Sequence, residues 1–167
     1  MQTLIKMHKV VVTFLLIALL LSCDSQRKFE KFETIDSMGW NKDEPISFEF
    51  DIQDTIQTNN LFINIRNTND YLYNNLFVIT ELNYPNGLSV IDTLEYEMAD
   101  HRGNWLGTGF TDVKESKLFY RENFSFPNSG KYTFQISQAM RKRNEISGVV
   151  YLKGISNVGF RVEKASN

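Results

Sequence analysis

The residue with the clearest chemical role is Cys23, the single cysteine of this 167-residue chain. It ends an apolar run that begins at Val10 and follows the basic residues Lys6 and Lys9. The run is shorter than the roughly 20 apolar residues of a membrane-spanning helix, so it indicates a cleaved secretory signal. A small residue followed by a lone cysteine is the pattern of a bacterial lipoprotein. We therefore predict that Cys23 becomes a thioether to diacylglycerol and that its new amino group is acylated.

Other residues that could do chemistry are few. His101 is the only histidine that remains after cleavage, and it has neither a Gly-x-Ser-x-Gly nucleophile elbow nor a second His or Cys at ligand spacing. Asp100, Asp112 and the polar cluster 67–70 could suggest calcium, but they lack EF-hand spacing and are ordinary turn residues. The sequence predicts no enzyme: no catalytic residues, no cofactor and no metal site.

The composition favours a small extracytoplasmic β-protein. The formal net charge is −2 and no basic block is present, which argues against binding to nucleic acid or to anionic lipid headgroups. Aromatic residues make up 13% of the chain, and its Phe, Tyr, Ile, Val and Thr favour strands over helices. We predict a cleaved signal peptide (1–22), a lipidated tether (23–40) and one domain (41–167), which is long enough for one core.

Several segments alternate between apolar and polar residues, as half-buried strands do. In residues 46–53 and 60–67 every second residue is apolar. The first half of 76–84 is apolar on both faces, which suits a central strand. Residues 85–87 read Pro-Asn-Gly, and Asn-Gly accepts the positive φ angles of a tight hairpin. The return strand is predicted over 88–96.

A second hairpin is predicted from 122–126 through the turn 127–130 (Pro-Asn-Ser-Gly) to 131–140, and strand-like runs at 149–152 and 158–162 close the chain. About eight strands, most with one apolar face, imply an all-β fold in which two antiparallel sheets pack as a β-sandwich. Both a jelly-roll and an immunoglobulin-like strand order are compatible with this pattern.

One segment, 100–112, has three glycines, no periodicity and two large aromatic residues, Trp105 and Phe110. Loops carry function more often than strands do, and exposed aromatics can form a sugar-stacking platform or a protein-binding hot spot. Alternatively, they plug one end of the sandwich, an interpretation that we favour for Phe110 and leave open for Trp105. The candidate partner-binding residues are Trp105, Phe110 and Arg102.

Several segments occur together in an order that is characteristic of one family. The signal with Cys23 is followed by 39–50 (Gly-Trp-Asn-Lys-Asp-Glu-Pro leading into Phe-Glu-Phe) and 61–67 (Leu-Phe-Ile-Asn-Ile-Arg-Asn). Trp-Leu-Gly and Gly-Phe within 105–110, and the run 126–141, come next. Over essentially the whole mature chain these segments resemble the gliding-motility lipoprotein GldH family. The resemblance implies a lipoprotein of the bacterial gliding apparatus, tied to type IX secretion, without enzymatic activity.

Two functional hypotheses follow. The first is a non-enzymatic assembly or scaffold subunit, anchored in the outer membrane through Cys23 and contacting other gliding and secretion proteins of the envelope. The second is a cell-surface carbohydrate-binding sandwich that uses the loop aromatics. Surface export in such bacteria is expected to need acidic residues soon after the cysteine, whereas residues 24–28 contain one acid and two bases. We therefore expect the protein to face the periplasm, with no nucleic acid and no small-molecule substrate.

The resemblance also implies possible modification sites. The pattern Asp, Ser or Thr, then an apolar residue is the one that the general O-glycosylation system of such bacteria is expected to use. It occurs three times, with the acceptor hydroxyl on Ser37, Thr55 and Thr93. We therefore predict these three residues as candidate O-glycosylation sites.

Overall fold

The computed structural model describes residues 26–166, so the predicted signal and Cys23 lie outside the described residues. Regular structure within 26–166 is entirely β, and no helix in this part is long and apolar enough to cross a membrane. The strands are β1 (Arg27–Thr34), β2 (Trp40–Asn41), β3 (Ile46–Ile52), β4 (Asn59–Asn67), β5 (Asn75–Asn83), β6 (Ser89–Glu97), β7 (Lys114–Phe124), β8 (Gly130–Gln138), β9 (Tyr151–Leu152) and β10 (Ile155–Lys164).

The strand pairing is nested about a single turn. β5 pairs with β6, β4 with β7, β3 with β8, β2 with β9 and β1 with β10, and every pair is antiparallel. The described chain is therefore one long hairpin whose tip is the turn at 85–87. There Gly87 has a φ of 84°, and the Tyr84 amide donates to the Leu88 carbonyl at 2.8 Å. The Asn-Gly hairpin predicted from the sequence is confirmed.

Two further pairings, β10 with β4 and β5 with β8, roll this hairpin into two sheets. The front sheet has the order β1-β10-β4-β7, and the back sheet has the order β3-β8-β5-β6. With the two short strands set aside, this is the strand order of a jelly roll. The predicted β-sandwich of about eight strands is confirmed, and of the two compatible orders the structure has the jelly-roll one.

The core lies between the inner faces of the two sheets. Phe134 of β8 stacks on Phe160 of β10 with ring centroids 4.1 Å apart, and Phe50 of β3 lies 5.3 Å from Phe160. The strands predicted at 46–53 and 60–67 bury the expected alternating residues except Ile46, which is partly buried, and Phe62 on the opposite face is buried as well. Full burial of each such side chain contributes about 1.5–3 kcal/mol to the stability of the folded state.

The predicted second hairpin is wrong. β7 pairs with β4 in the front sheet, whereas β8 pairs with β3 and β5 in the back sheet. The Pro-Asn-Ser-Gly segment therefore carries the chain from one sheet to the other. Alternation shows which face of a strand is buried but not which strand lies beside it, so the turn chemistry alone could not separate a hairpin from a crossover.

The predicted tether 23–40 also differs from the structure, because it contains a strand of the domain. β1 pairs along β10, and the ring centroid of Phe29 lies 5.4 Å from that of Phe50 in the core. The register of β1 shifts between Arg27 and Phe29. Such a bulge interrupts the two-residue period by which a strand is recognised from sequence. The folded domain therefore includes a strand, Arg27–Thr34, that the sequence prediction assigned to the tether.

The outer face of the front sheet carries a network of paired charges. Arg161 contacts both Glu30 and Glu163, and Lys117 donates to both carboxylate oxygens of Glu163 at 2.8 Å. Burial by itself would raise the pKa of Glu30, but hydrogen bonds from Arg161 and Arg27 outweigh it and hold the pKa below its ordinary value. Because these charges are compensated within the sheet, this face offers little unsatisfied charge to a partner.

Gly154, in the turn between β9 and β10, packs closely against the backbone of Tyr71, and a substitution there tests this contact. Its φ is +83°, and a Cβ there would lie 2.1 Å from the Tyr71 amide nitrogen. We expect Gly154→Ala to lower the free energy of unfolding by about 3 kcal/mol, through backbone strain plus overpacking. Gly87→Ala has the same strain at φ +84° with nothing within 4 Å and should cost only about 1 kcal/mol. Equal losses in urea unfolding would contradict the packing at Gly154.

Candidate functional site: the β6–β7 loop

The sandwich has two ends, which we name by their connections. The hairpin end carries the tip at 85–87, and the loop end carries residues 98–113, which connect β6 to β7. Asp100 fixes the first turn of this loop, because its carboxylate accepts hydrogen bonds from the amides of Arg102 and Asn104 at 2.8 and 2.9 Å. Hydrogen bonds from the Asn104 side chain and backbone lower the pKa of Asp100. Asp100 and exposed His101 therefore belong to a structural turn.

Trp105 closes the loop end of the sandwich. Its indole Nε1–H donates to Asn69 Oδ1 at 3.2 Å, and its ring lies 6.1 Å from that of Tyr71. Tyr71 is buried and donates its hydroxyl to the Asn75 carbonyl at 2.7 Å, and burial raises the pKa of Tyr71 well above its usual range. The open question for Trp105 is answered: the indole plugs the end of the sandwich and pins the loop to residues 68–74.

Phe110, unlike Trp105, does not pack against the sandwich, so the prediction that it plugs the end is wrong. Its side chain is fully exposed, with a relative accessibility of 110%. The loop backbone pairs with β7 instead of crossing the end of the sandwich, since Thr108 and Glu115 exchange hydrogen bonds at 2.8 and 2.9 Å. Gly107 and Gly109 permit this approach, because a Cβ at either would lie under 3 Å from atoms of 113–116.

Arg102, Leu106 and Phe110 are exposed in this loop, and we refer to these three residues together as the loop surface. Of the predicted partner-binding residues, the structure places Arg102 and Phe110 on this surface and leaves Trp105 half-buried beneath it. The sequence reasoning missed Asn69, whose amide oxygen holds Trp105. No local signal could have identified it, because the two residues are 36 positions apart.

A shallow depression of about 630 Å³ lies beside this loop at the same end of the sandwich. Asp36, Asn69, Asp70 and Lys153 contribute polar groups to its wall, and Leu72, at 86% exposure, contributes an apolar side chain. Within residues 26–166 no group of three or more His, Cys, Asp or Glu side chains is placed to hold a metal ion. The depression and the loop surface are thus both open to solvent at this end of the sandwich.

The three candidate glycosylation sites have different surroundings. Asp36 accepts from the Met38 amide at 2.8 Å and Asp54 from the Ile56 amide at 2.9 Å, so Ser37 and Thr55 lie in similar Asp-stabilised turns. Thr93 instead lies within β6, opposite Ile79 on the outer face of the back sheet. Ser37 and Thr93 are exposed and Thr55 is partly exposed. Modification of these residues stays a prediction.

Fold and site together define a class: a jelly-roll β-sandwich whose β6–β7 loop exposes one aromatic side chain, Phe110. The model of the GldH lipoprotein family matches residues 27–162. The chain is 52% identical over 151 residues to a gliding motility lipoprotein GldH homolog of Christiangramia forsetii, covering 90% of this chain and 92% of that protein. It is 45% identical over 146 residues to the gliding motility lipoprotein GldH of Flavobacterium johnsoniae, covering 87% and 90%. The chain belongs to the GldH lipoprotein family.

Solved structures resemble the chain only weakly. The VP2 subviral particle of infectious bursal disease virus matches with a TM-score of 0.35 and 17% identity, over 86% of this chain and 34% of that chain. A family GH115 4-O-methyl-α-glucuronidase matches with a TM-score of 0.43 and 10% identity, over 87% and 18%. The chain thus spans about a third of the first protein and less than a fifth of the second. Neither likeness carries an argument about function.

The contrast between the two loop aromatics is testable by unfolding. We expect Trp105→Ala to lower the free energy of unfolding by about 2 kcal/mol, because it removes a half-buried ring and leaves Asn69 without its donor. Phe110→Ala should change it by less than about 0.5 kcal/mol, since the ring makes little contact with the domain. Urea unfolding of both variants measures this difference, and a destabilised Phe110 variant would contradict the exposed placement.

Proposed function

We propose that this gliding-motility lipoprotein acts as a non-enzymatic assembly subunit of the gliding and type IX secretion machinery, docking on envelope partners through the loop surface. The observation that supports this most directly is the full exposure of Phe110 on a loop whose backbone is paired with β7 through Thr108 and Glu115. Burying one phenylalanine side chain at a contact contributes about 1.5–3 kcal/mol to the free energy of binding. A loop whose backbone is already held by such hydrogen bonds loses less conformational entropy on binding than a free segment does, so more of that contribution is kept.

The proposed location is the outer membrane, with a diacylglycerol thioether on Cys23 and the domain in the periplasm. Family membership supports the lipid anchor. The periplasmic orientation is supported by the chain after the cysteine, where Arg27 and Lys28 follow the single acid Asp24. Each long acyl chain contributes about 0.8 kcal/mol per buried methylene, so several chains hold the protein in the membrane durably.

The alternative of a carbohydrate-binding sandwich depends on the loop aromatics Trp105 and Phe110 as a platform for sugar stacking. In the structure Trp105 packs its ring towards Tyr71 and uses its indole N–H on Asn69. Phe110 is the fully exposed aromatic of the loop, and it has no polar group to pair with sugar hydroxyls. The geometry therefore favours a protein partner.

The proposal is tested by colony spreading. In a gliding bacterium that lacks this gene, the wild-type gene should restore spreading and Phe110→Asp should not, because the charge must be desolvated at the contact. Ile146→Asp is the matched control, since Ile146 is 94% exposed in another loop of the same end. Immunoblots of membranes must show equal amounts of both variants. Full spreading by the Phe110 variant would refute docking through this loop.

We further propose that Ser37, Thr55 and Thr93 carry O-linked glycans. Their accessible hydroxyls support this proposal, with the turns at Asp36 and Asp54 presenting Ser37 and Thr55 outside the strands. Intact-mass spectrometry of protein purified from its native cells should show a mass above that of the lipidated peptide. Each of the variants Ser37→Ala, Thr55→Val and Thr93→Val should remove one glycan mass. A native mass equal to the lipidated peptide alone would refute the proposal.

A further inference from the structure

Very little chain separates the lipid attachment site from the folded domain. Gln26 is already bound to the sandwich: its carbonyl accepts from the Lys164 amide at 2.8 Å, and its side-chain amide donates to Ser166 Oγ at 3.2 Å. Cys23 precedes Gln26 by three residues, which span at most about 11 Å when fully extended. A lipid on Cys23 would therefore hold this part of the domain within about 11 Å of the membrane surface.

The part of the domain held in this way is the hairpin end. Lys164 pairs with Asn59, and the Ala165 amide donates to the Thr58 carbonyl at 3.0 Å. Gln26 therefore lies beside the connection between β3 and β4. The tip at 85–87 is at the same end, because Asn86 donates to Asn128 at 3.3 Å and Gly130, just beyond, is paired with Ile52.

Two apolar side chains project from this end without contacts to cover them. Ile56, in the connection between β3 and β4, is 91% exposed, and Leu88, beside the hairpin tip, is 65% exposed. Asp54 accepts hydrogen bonds from the amides of Ile56 and Gln57 at 2.9 and 3.2 Å, which fixes the backbone on which Ile56 projects. Exposed apolar side chains on fixed loops are suited to entering the boundary between headgroups and acyl chains.

We infer that the hairpin end rests on the lipid surface that holds the anchor, with Ile56 and Leu88 inserted between the headgroups. This inference rests on the proposed lipid attachment at Cys23. The sandwich then stands on the membrane with its strands directed away from it. β4 has nine residues, so the loop end lies about 30 Å from the hairpin end at about 3.3 Å per residue.

This orientation determines what the loop surface can reach. Phe110 and Arg102 then lie at the end away from the membrane that holds the anchor. A partner of the loop surface would bind about 30 Å from that membrane. The two exposed apolar regions thus have different occupants: Ile56 and Leu88 meet lipid, and Phe110 meets protein. The short connection to Cys23 excludes the reverse arrangement, because an 11 Å segment cannot carry the loop end to the membrane.

The experiment measures the depth of a label at each end of the lipidated, full-length mature protein in phospholipid vesicles. Cys23 is the only native cysteine and is blocked as a thioether, so an introduced cysteine is the only free thiol. Ile56→Cys and the matched control Ile146→Cys replace isoleucines that are 91% and 94% exposed at opposite ends. A fluorophore on each is quenched in turn by a lipid-soluble and a water-soluble quencher.

We expect lipid-soluble quenching of the label at 56 to exceed that at 146 severalfold, with the reverse order for the water-soluble quencher. Equal quenching at the two positions, in protein that stays in the vesicles after an alkaline wash, would overturn the membrane contact and leave the anchor intact. A label at 56 that is shielded from both quenchers would also overturn it. Protein that the wash removes would show that the lipid anchor itself, and with it the proposed function, is wrong.

Discussion

The structure depends on one constraint, the nested antiparallel pairing of the whole described chain about the turn at Asn86-Gly87. Once this turn sets the register of β5 against β6, each outer pair continues the same hairpin, down to β1 against β10. A flat hairpin would leave one apolar face of every strand in water. Rolling it into two sheets buries those faces against each other, with Phe134 stacked on Phe160 at 4.1 Å at the centre.

The same nesting brings the first and last strands of the described domain together and relates the proposed anchor to the β6–β7 loop. Because the first and last strands are paired, Gln26 is bound to Lys164 at the hairpin end. The β6–β7 loop leaves the sandwich at the opposite end, where Trp105 pins it to Asn69. With a lipid on Cys23 as we propose, the jelly roll presents this loop away from the membrane, and this arrangement requires no hinge between anchor and domain.

The two loop aromatics have different roles: Trp105 packs within the domain, and Phe110 is exposed to solvent. Trp105 contributes to folding, since its ring and indole N–H are used within the domain. Phe110 contributes little to folding, because it is fully exposed, and its apolar surface is available to a partner. The charge network on the front sheet leaves little charge available to a partner, since Arg161 is paired with both Glu30 and Glu163. These contacts support the proposed docking through the loop surface.

The sequence by itself predicted the lipoprotein signal, and it determined the β-class, the strands at 46–53 and 60–67 and the hairpin at Asn86-Gly87. Each of these depends on residues that are near neighbours in the chain. Tertiary structure decided the jelly-roll order, the membership of β1 in the front sheet and the crossover at 127–129. It also decided that Trp105 is the plug and Phe110 the exposed ring. These features depend on which distant segment lies beside a residue, as Asn69 lies beside Trp105, and a local pattern of apolar and polar residues carries no record of that neighbour.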